Sequence, residues 1–230
     1  MSVADNLRRV RERVTAACAR AGRDPAAVKI VAVSKTQPAA AVAEAVAAGA
    51  DAIGENRVQE AAAKRPAVSG ALPWHLIGPL QRNKARQALD VFDVVESMDR
   101  PELGDRLESL LAPINRVLPV FIEVNIAGEP QKSGVMPALA PALVDHLAGR
   151  CPHLRLEGLM TVPPYEADPS RSRPHFARLR LLAGELERAF GFPPLALSMG
   201  MSEDFEVAIE EGASWVRLGR VLFGERHSRP

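Results

Sequence analysis

The sequence has few cysteines, almost no net charge and no long apolar run, and each of these shortages argues against a class of protein. Its two cysteines, Cys18 and Cys151, lie far apart and fit neither a disulfide framework nor a metal-ligand motif. The formal net charge is +1, which gives no overall field for nucleic acid or an anionic membrane. No apolar run approaches the roughly 18 residues of a membrane-spanning helix. The amino terminus is charged and lacks an apolar signal core, so we expect a cytoplasmic protein.

The sequence does contain a regular alternation of short apolar runs with longer helical segments. A chain of 230 residues, 47% of them hydrophobic, can bury the core of one domain, and we expect residues 1–230 to form a single domain. Apolar residues at three- and four-residue spacing predict a first helix that ends at Gly22. Eight apolar runs then read as strands: 28–35, 50–53, 74–78, 91–98, 117–125, 154–162, 195–199 and 214–222.

This alternation of strands and helices is typical of an α/β fold with a parallel sheet. Eight strands favour a closed (β/α)8 barrel, or TIM barrel, with an extra helix at its amino-terminal end. An open doubly wound sheet is the alternative. It is disfavoured because no Gly-x-Gly-x-x-Gly pattern follows the first strand, where a dinucleotide site would place one.

Lys35 is the first candidate for chemistry. It ends a continuous apolar strand, and in parallel α/β folds the carboxyl ends of the strands line the site. A lysine in such a place can have its pKa lowered and attack a carbonyl to form a Schiff base. The alternative is a lysine that extends from the strand end into solvent.

Two stretches near the carboxyl end indicate a bound anion. Ser198 and Ser202 flank a glycine turn that leads into a helix, where backbone N–H groups favour phosphate; these serines could equally cap the helix. Arg217 lies inside an apolar strand, two residues before Gly219, and a buried arginine needs a ligand or a carboxylate. The loops after strands seven and eight commonly hold phosphate in barrels. A phosphate site together with a Schiff-base lysine indicates pyridoxal 5'-phosphate (PLP).

Other polar residues have simpler interpretations. His75 is flanked by Trp74 and Leu76, which favours a hydrogen-bonded core histidine. Residues 81–84 read as a polar helix start, and Lys132 as a solvated loop lysine. The remaining histidines show no metal-ligand spacing: His146, His153, His175 and His227.

Seven motifs, in one order from about residue 31 to 226, resemble those of the pyridoxal phosphate homeostasis proteins (the YggS/PROSC family). They are VAVSKT (31–36), GENRVQE (54–60), WHLIGPLQRNK (74–84), QKSG (131–134), GLMT (158–161), LSMGMS (197–202) and VRLG (216–219). The resemblance covers nearly the whole chain. It implies a barrel similar to the amino-terminal domain of alanine racemase, with PLP held as an internal aldimine on Lys35.

The resemblance also implies the residues around the cofactor. Arg217 would face the pyridine nitrogen and keep it unprotonated, which weakens the ring as an electron sink. The other implied cofactor-binding residues are Ser198, Ser202, Gly219 and the Arg220 backbone at the phosphate, Asn56 beside the cofactor and Met160 in the pocket. Two residues depart from the family pattern, in which Tyr is common where Arg57 stands and Thr where Arg220 stands.

The function implied is a PLP carrier in vitamin B6 homeostasis, without established catalysis. Its implied partners are PLP and PLP-dependent apo-enzymes, and we expect a monomer. A weak PLP-dependent amino-acid racemase is the alternative; it would lack the second domain that supplies a catalytic tyrosine in alanine racemase, and the one tyrosine here, Tyr165, follows strand six. A barrel that binds another phosphate ester, with Lys35 acting only electrostatically, is a further alternative.

Overall fold

The computed structural model describes residues 2–224, and it shows a barrel of eight parallel strands closed in the order β1 to β8. The predicted (β/α)8 architecture is therefore confirmed, and the open sheet is wrong. The strands are β1 Lys29–Val33, β2 Ala52–Glu55, β3 Trp74–Leu76, β4 Val94–Met98, β5 Leu118–Glu123, β6 Leu154–Met160, β7 Ala196–Ser198 and β8 Trp215–Leu218. His227 and the last residues of the predicted family match lie outside the described part of the chain.

Helices surround the barrel. They are α1 Val3–Ala21, α2 Ala39–Ala47, α3 Val58–Lys64, α4 Ala85–Val91, α5 Pro101–Leu111, α6 Ala140–Arg150, α7 Arg173–Phe190, α8 Phe205–Glu210 and α9 Arg220–Phe223. The predicted extra helix is α1. Ser2 caps it by accepting a hydrogen bond from Asp5 N–H, and Gly22 ends it in the left-handed conformation at φ 63°. It packs against α2, α8 and α9 and so covers the junction of the first and last strands.

The two faces of β1 show how the strands divide the interior from the helical layer. Ile30 and Ala32 belong to the large core between strands and helices, whereas Val31 and Val33 pack with Ala52 in a small separate cluster. Because successive side chains in a strand point to opposite faces, this second cluster lies inside the barrel. The barrel interior also holds the buried polar residues described below.

Two predicted strand boundaries are wrong, because an apolar run does not distinguish a strand from a buried helical turn. The run 91–98 was predicted as one strand, but Val91 ends α4 with its side chain buried, and β4 begins at Val94. The run 214–222 was predicted as the eighth strand. That strand ends at Leu218, and α9 follows with Leu222 buried against the core.

Among residues 2–224, no helix combines the length and the apolar character that crossing a membrane requires.

Candidate functional site

The segment that carries Lys35 is fixed on both sides by a buried ion network. Lys64, on α3, donates to the Ser34 carbonyl at 2.8 Å, to Glu55 Oε1 at 2.8 Å and to Glu60 Oε1 at 2.6 Å. Ser34 Oγ donates to Glu55 Oε1 at 2.6 Å, and Thr36 N–H donates to Glu60 Oε1 at 2.5 Å. The backbone immediately before and after Lys35 is therefore attached to the same three charged side chains.

The chain turns sharply after Lys35. Thr36 has φ 67°, a left-handed conformation that residues with a β-branched side chain rarely adopt. The hydrogen bond from its N–H to Glu60 holds it there. Burial raises the pKa of the Glu55 carboxyl, against the hydrogen bonds from Lys64 and Ser34. Buried charges and a strained backbone conformation thus fix the position of the segment that carries Lys35.

Lys35 shares a small pocket with the glycine and arginine that follow β8. The pocket is lined by Val33, Lys35, Gln37, Gly219, Arg220, Phe223 and Gly224. β8 pairs with β1, so the two strand ends that carry Lys35 and Gly219 are neighbours in the barrel. A Cβ at Gly219 would lie 3.4 Å from the Val33 carbonyl oxygen, which is a tight contact. Glycine therefore lets the two backbones approach closely at this edge.

Arg217 is buried inside the barrel and donates two hydrogen bonds there. It is 4% exposed, and it donates to Ser198 Oγ and to the Thr161 carbonyl, both at 2.7 Å. Burial lowers its pKa, and the nearby carboxylates of Glu96, Glu123 and Asp204 oppose that shift. The prediction that this arginine needs a partner is confirmed: its hydrogen-bond partners are the Ser198 hydroxyl and the Thr161 carbonyl, and buried carboxylates lie near enough to compensate its charge.

A buried hydrogen-bonded chain continues from Arg217 across the barrel. Ser198 Oγ donates to Glu96 Oε2 at 2.5 Å, and His75 Nδ1 lies 2.6 Å from Glu96 Oε1. Burial opposes ionisation of Glu96, but the hydrogen bond from His75 and the charge of Arg217 outweigh it and lower the pKa of that carboxyl. Because Glu96 is a carboxylate, His75 Nδ1 is the donor of this bond. The interpretation of His75 as a hydrogen-bonded core histidine is confirmed.

Glu123 ends β5 at the same mouth, and its pKa is strongly shifted. Burial, followed by repulsion from Asp99, raises its pKa to about 7, although Arg217 lowers it. Its Oε2 has no hydrogen-bond partner among the described residues. A carboxyl with a pKa near neutrality at the mouth of the barrel is a candidate proton carrier.

Substituting Glu123 by Gln is expected to remove a pH dependence of stability. The folded pKa of about 7 lies above the ordinary glutamate value of 4.5, so the folded protein binds this proton more tightly than the unfolded chain. The stabilisation is fully present below about pH 4.5 and is lost as the pH rises through 7. We expect the wild-type free energy of unfolding to fall by roughly 2–3 kcal/mol relative to Glu123→Gln between pH 4.5 and 8.

Urea denaturation at several pH values measures this difference. Glu102→Gln, on the exposed face of α5, is the matched control and should follow the wild-type curve. Parallel curves for wild type and Glu123→Gln would show that Glu123 ionises normally.

The other predicted site residues lie near the mouth at different depths. Asn56 follows β2 and its Oδ1 is buried without a hydrogen-bond partner in the range 2–224. Met160 ends β6 and is fully buried beside Ser198 in the strand register. Ser202 Oγ accepts from the Val221 N–H at 3.3 Å. This bond places Ser202 at the start of α9, next to the pocket of Lys35.

The structure corrects the expected roles of the two serines as helix caps. Neither Ser198 nor Ser202 caps α8; Asp204 precedes that helix and accepts from the Met201 N–H at 2.7 Å. The hydroxyl of Ser198, which the resemblance places at the phosphate, is 0% exposed and lies between Arg217 and Glu96. In this arrangement it orients Arg217.

The two departures from the family pattern both face outward. The Arg220 guanidinium pairs with Glu203 Oε1 at 2.6 Å, and both side chains are well exposed. Arg220 lines the pocket, but its guanidinium is engaged by Glu203. The guanidinium therefore does not replace the hydroxyl of the threonine that is usual at this position. Arg57 is exposed at the start of α3, where its charge helps to lower the pKa of Glu60.

Sequence reasoning missed Lys64, Glu60 and Glu123. Lys64 and Glu60 lie four residues apart on α3 and read as an ordinary surface pair. The signal that could have been used is the position of Glu55 and Glu123 at strand ends, where a carboxylate in a buried run needs a partner. Residues 82–84 form the predicted polar start of α4, as a short 3₁₀ turn, and Lys132 pairs with Glu129 at 2.6 Å.

The outer helices bring together three groups whose sequence spacing gave no metal motif. Donor atoms of Asp105, His146 and Cys151 lie within 4.8 Å of one another. Asp105 and His146 are already bonded to each other at 2.7 Å, and burial raises the pKa of the Cys151 thiol to about 11. The thiol is therefore protonated at neutral pH in the metal-free protein, and a metal ion would have to displace that proton to bind.

Comparison with known proteins shows the family to which this chain belongs. The family model described as alanine racemase, N-terminal domain, matches residues 4–227. The chain is 45% identical over 230 residues to a protein from Pseudomonas aeruginosa named pyridoxal phosphate homeostasis protein, covering 98% of this chain and 96% of that protein. A protein of the same name from Aquifex aeolicus is 43% identical over 227 residues, covering 98% and 99%. The chain belongs to the pyridoxal phosphate homeostasis protein family.

Solved structures agree with this assignment. The structure of PipY from Synechococcus elongatus, described as having PLP bound, is 36% identical with a TM-score of 0.84, and the match covers 97% of this chain and all of PipY. An alanine racemase from Clostridium difficile is 17% identical with a TM-score of 0.77, and the match covers 97% of this chain but 58% of the racemase. That second likeness concerns the fold of the barrel alone.

Proposed function

We propose that this protein binds PLP through a Schiff base on Lys35 and serves PLP homeostasis rather than catalysis. One observation carries the proposal: the backbone on both sides of Lys35 is held by the network of Lys64, Glu55 and Glu60, and Lys35 lines the same pocket as Gly219 and Arg220. An amine and an anion-binding backbone at the mouth of one barrel match the aldehyde and the phosphate of PLP. The relatives named for PLP homeostasis and the PLP-bound PipY support it.

The residues around the pocket fit such a ligand. Asn56 Oδ1 is a buried acceptor that no group of residues 2–224 satisfies, and a polar ligand beside it would relieve that cost. Gly219 and Arg220 would supply backbone N–H groups for the phosphate, with Ser202 nearby, and Met160 would pack against the ligand. Bound PLP would supply an aldehyde for Schiff-base chemistry and, in enzymes, an electron sink. Arg217 near the ring nitrogen would disfavour protonation of that nitrogen and so limit the electron sink.

Residues 1–230 are proposed to act as one domain, as a monomer in the cytoplasm that exchanges PLP with PLP-dependent apo-enzymes. A racemase would need a second base on the opposite face of the cofactor. The single tyrosine of the chain, Tyr165, is 76% exposed on the loop after β6. This geometry supports a carrier over a two-base enzyme.

PLP titration with absorbance detection tests the proposal. The full-length protein should take up one equivalent of PLP with a visible Schiff-base band and release it to an apo-enzyme in excess. Incubation of the loaded protein with D- or L-alanine in deuterated water should give no exchange of the α-hydrogen above that of free PLP. Binding without the band would contradict the Schiff base, and fast exchange abolished by Lys35→Ala would show an enzyme.

Lys64→Met is expected to impair the site and stability together. Loss of the ammonium removes one donor from the Ser34 carbonyl, which keeps the Gln37 N–H, and one from Glu55, which keeps the Ser34 hydroxyl. Glu55 can take up a proton in response. We expect the free energy of unfolding to fall by about 2 kcal/mol. Formation of the Schiff-base band should slow by about tenfold, because the Lys35 segment loses its anchor.

Lys84→Met, at the start of α4, is the control for Lys64→Met and should leave both quantities at wild-type values. The positioning role is distinguished from a general loss of stability by measuring band formation far below the unfolding temperature. An unchanged rate in a destabilised Lys64→Met protein would contradict it.

A further inference from the structure

The opposite end of the barrel contains a cavity that the proposed PLP site does not use. It has a volume of about 440 Å³ and opens among the first residues of the strands, with Lys29, Pro119 and Trp215 in its wall. Barrel enzymes place their chemistry at the carboxyl ends of the strands, so this amino-terminal end is ordinarily filled for stability. A cavity of this size lies within the range of small-molecule sites.

One residue that lines the cavity carries an unsatisfied polar atom. His75 lines the cavity and is 1% exposed, and its Nδ1 is bonded to Glu96. Its Nε2, on the other side of the ring, has no hydrogen-bond partner within residues 2–224. Since Nδ1 donates to a carboxylate, Nε2 of the neutral ring is an acceptor. A buried acceptor of this kind calls for a donor from a ligand.

The walls favour a flat ring with an acidic group. Trp215 and Phe121 supply aromatic surface, and the Trp215 ring centroid lies 4.9 Å from that of His75. Lys29 Nζ lies 5.2 Å above the Trp215 ring. Lys29 makes no ion pair with any described residue, whereas the neighbouring rim carboxylates of Asp51 and Glu157 are paired with Arg11 and Arg155. The rim therefore has one uncompensated cation.

We propose that this cavity is a second ligand site, for a planar aromatic carboxylate that carries a hydroxyl or N–H donor. The carboxylate meets Lys29 at the rim, the ring lies against Trp215 and Phe121, and the donor reaches His75 Nε2. The chain His75–Glu96–Ser198–Arg217 fixes the histidine tautomer and joins this cavity to the buried arginine of the first site. The proposal stands on this cavity alone and holds whether or not Lys35 binds PLP.

The test uses 4-hydroxybenzoate as the probe and the full-length protein. Calorimetric titration should give one site with a Kd on the order of 0.1–1 mM, as expected for a ligand of this size. Benzoate, which lacks the hydroxyl donor, and cyclohexanecarboxylate, which lacks the aromatic ring, should each bind at least fivefold more weakly. In nuclear magnetic resonance spectra the indole N–H of Trp215 should shift, and that of Trp74, which packs in the outer core, should not.

Variants distinguish the two ends of the barrel. Lys29→Met, at an exposed position, should weaken probe binding about three- to fivefold. Trp215→Leu should weaken it about tenfold. Lys35→Ala and Lys84→Met, at the carboxyl-terminal mouth, should leave it unchanged. Absence of binding at millimolar probe would overturn the proposal and leave the cavity a water-filled gap. Equal shifts of both indole N–H signals would also overturn it. Loss of binding in Lys35→Ala would show that the probe is a ligand of the first site.

Discussion

Lys35→Ala should abolish the visible Schiff-base band at one equivalent of PLP while the barrel stays folded. The band requires an imine between the cofactor aldehyde and an amine, and alanine offers none. The fold should survive because the packing of β1 comes from Ile30, Val31 and Val33, all buried, whereas Lys35 lies beyond the strand and is half-buried. We expect the free energy of unfolding to change by less than about 1 kcal/mol.

Absorbance spectroscopy with PLP and far-ultraviolet circular dichroism measure the two halves of this expectation. Lys132→Ala, which removes a loop lysine paired with Glu129, is the matched control and should keep the band. A full-strength band in Lys35→Ala would place the Schiff base on another lysine. Loss of the dichroism signal would show that Lys35 is a structural residue.

Arg217→Ala is expected to have the largest effect on stability and a strong effect on PLP retention. The guanidinium compensates Glu96 and Glu123 inside the barrel, and its removal leaves buried carboxylates with fewer partners. Breaking a buried charge network of this kind typically costs about 3–5 kcal/mol. PLP affinity should fall at least tenfold, because the ring loses its cationic neighbour and Ser198 loses its donor.

Equilibrium dialysis at a temperature where the variant is folded measures PLP retention for Arg217→Ala. Lys84→Ala removes one positive charge from the same end of the barrel and should retain PLP like the wild type. Arg217→Lys should recover part of the stability but little of the affinity, since an ammonium cannot reproduce both guanidinium hydrogen bonds. Equal retention by Arg217→Ala and Lys84→Ala would contradict the assigned role of Arg217.

The barrel could be predicted because its evidence is local. Each strand is a short apolar run next to a helical pattern, and the end of α1 is marked by Gly22 in the left-handed conformation that glycine favours. Apolar runs that pass from helix to strand have no local marker. Val91 therefore appeared to start β4, and Leu222 to lie in β8, although tertiary packing places both in helices.

The site could be predicted only in part from sequence. Strand-end polarity predicted Lys35 as a site residue, and the place of Arg217 inside an apolar strand predicted a partner for it. The motif resemblance predicted the ligand class, which the PLP-bound relative supports. The network of Lys64 with Glu55 and Glu60 was not predicted, since it depends on α3 folding back against the end of β1. The raised pKa of Glu123 could not be predicted from sequence either, because it arises from burial and from charged residues that are distant in sequence, Asp99 and Glu96 among them.

The cavity at the amino-terminal end illustrates the same limit. His75 and Trp215 are 140 residues apart in sequence, and the closure of the barrel brings their rings to 4.9 Å. No pattern within either strand distinguishes a filled barrel end from an open one. Such a cavity becomes visible only when all eight strands are placed together.

Borohydride reduction of the PLP-treated protein, followed by peptide mapping, tests the central claim most directly. Reduction converts a Schiff base into a stable pyridoxyl-lysine, so the label records which amine held the cofactor. The account predicts loss of the visible band on reduction and a single pyridoxyl label on the peptide that contains Lys35. A label on any other lysine as the main product, or no label after saturation with PLP, would contradict it.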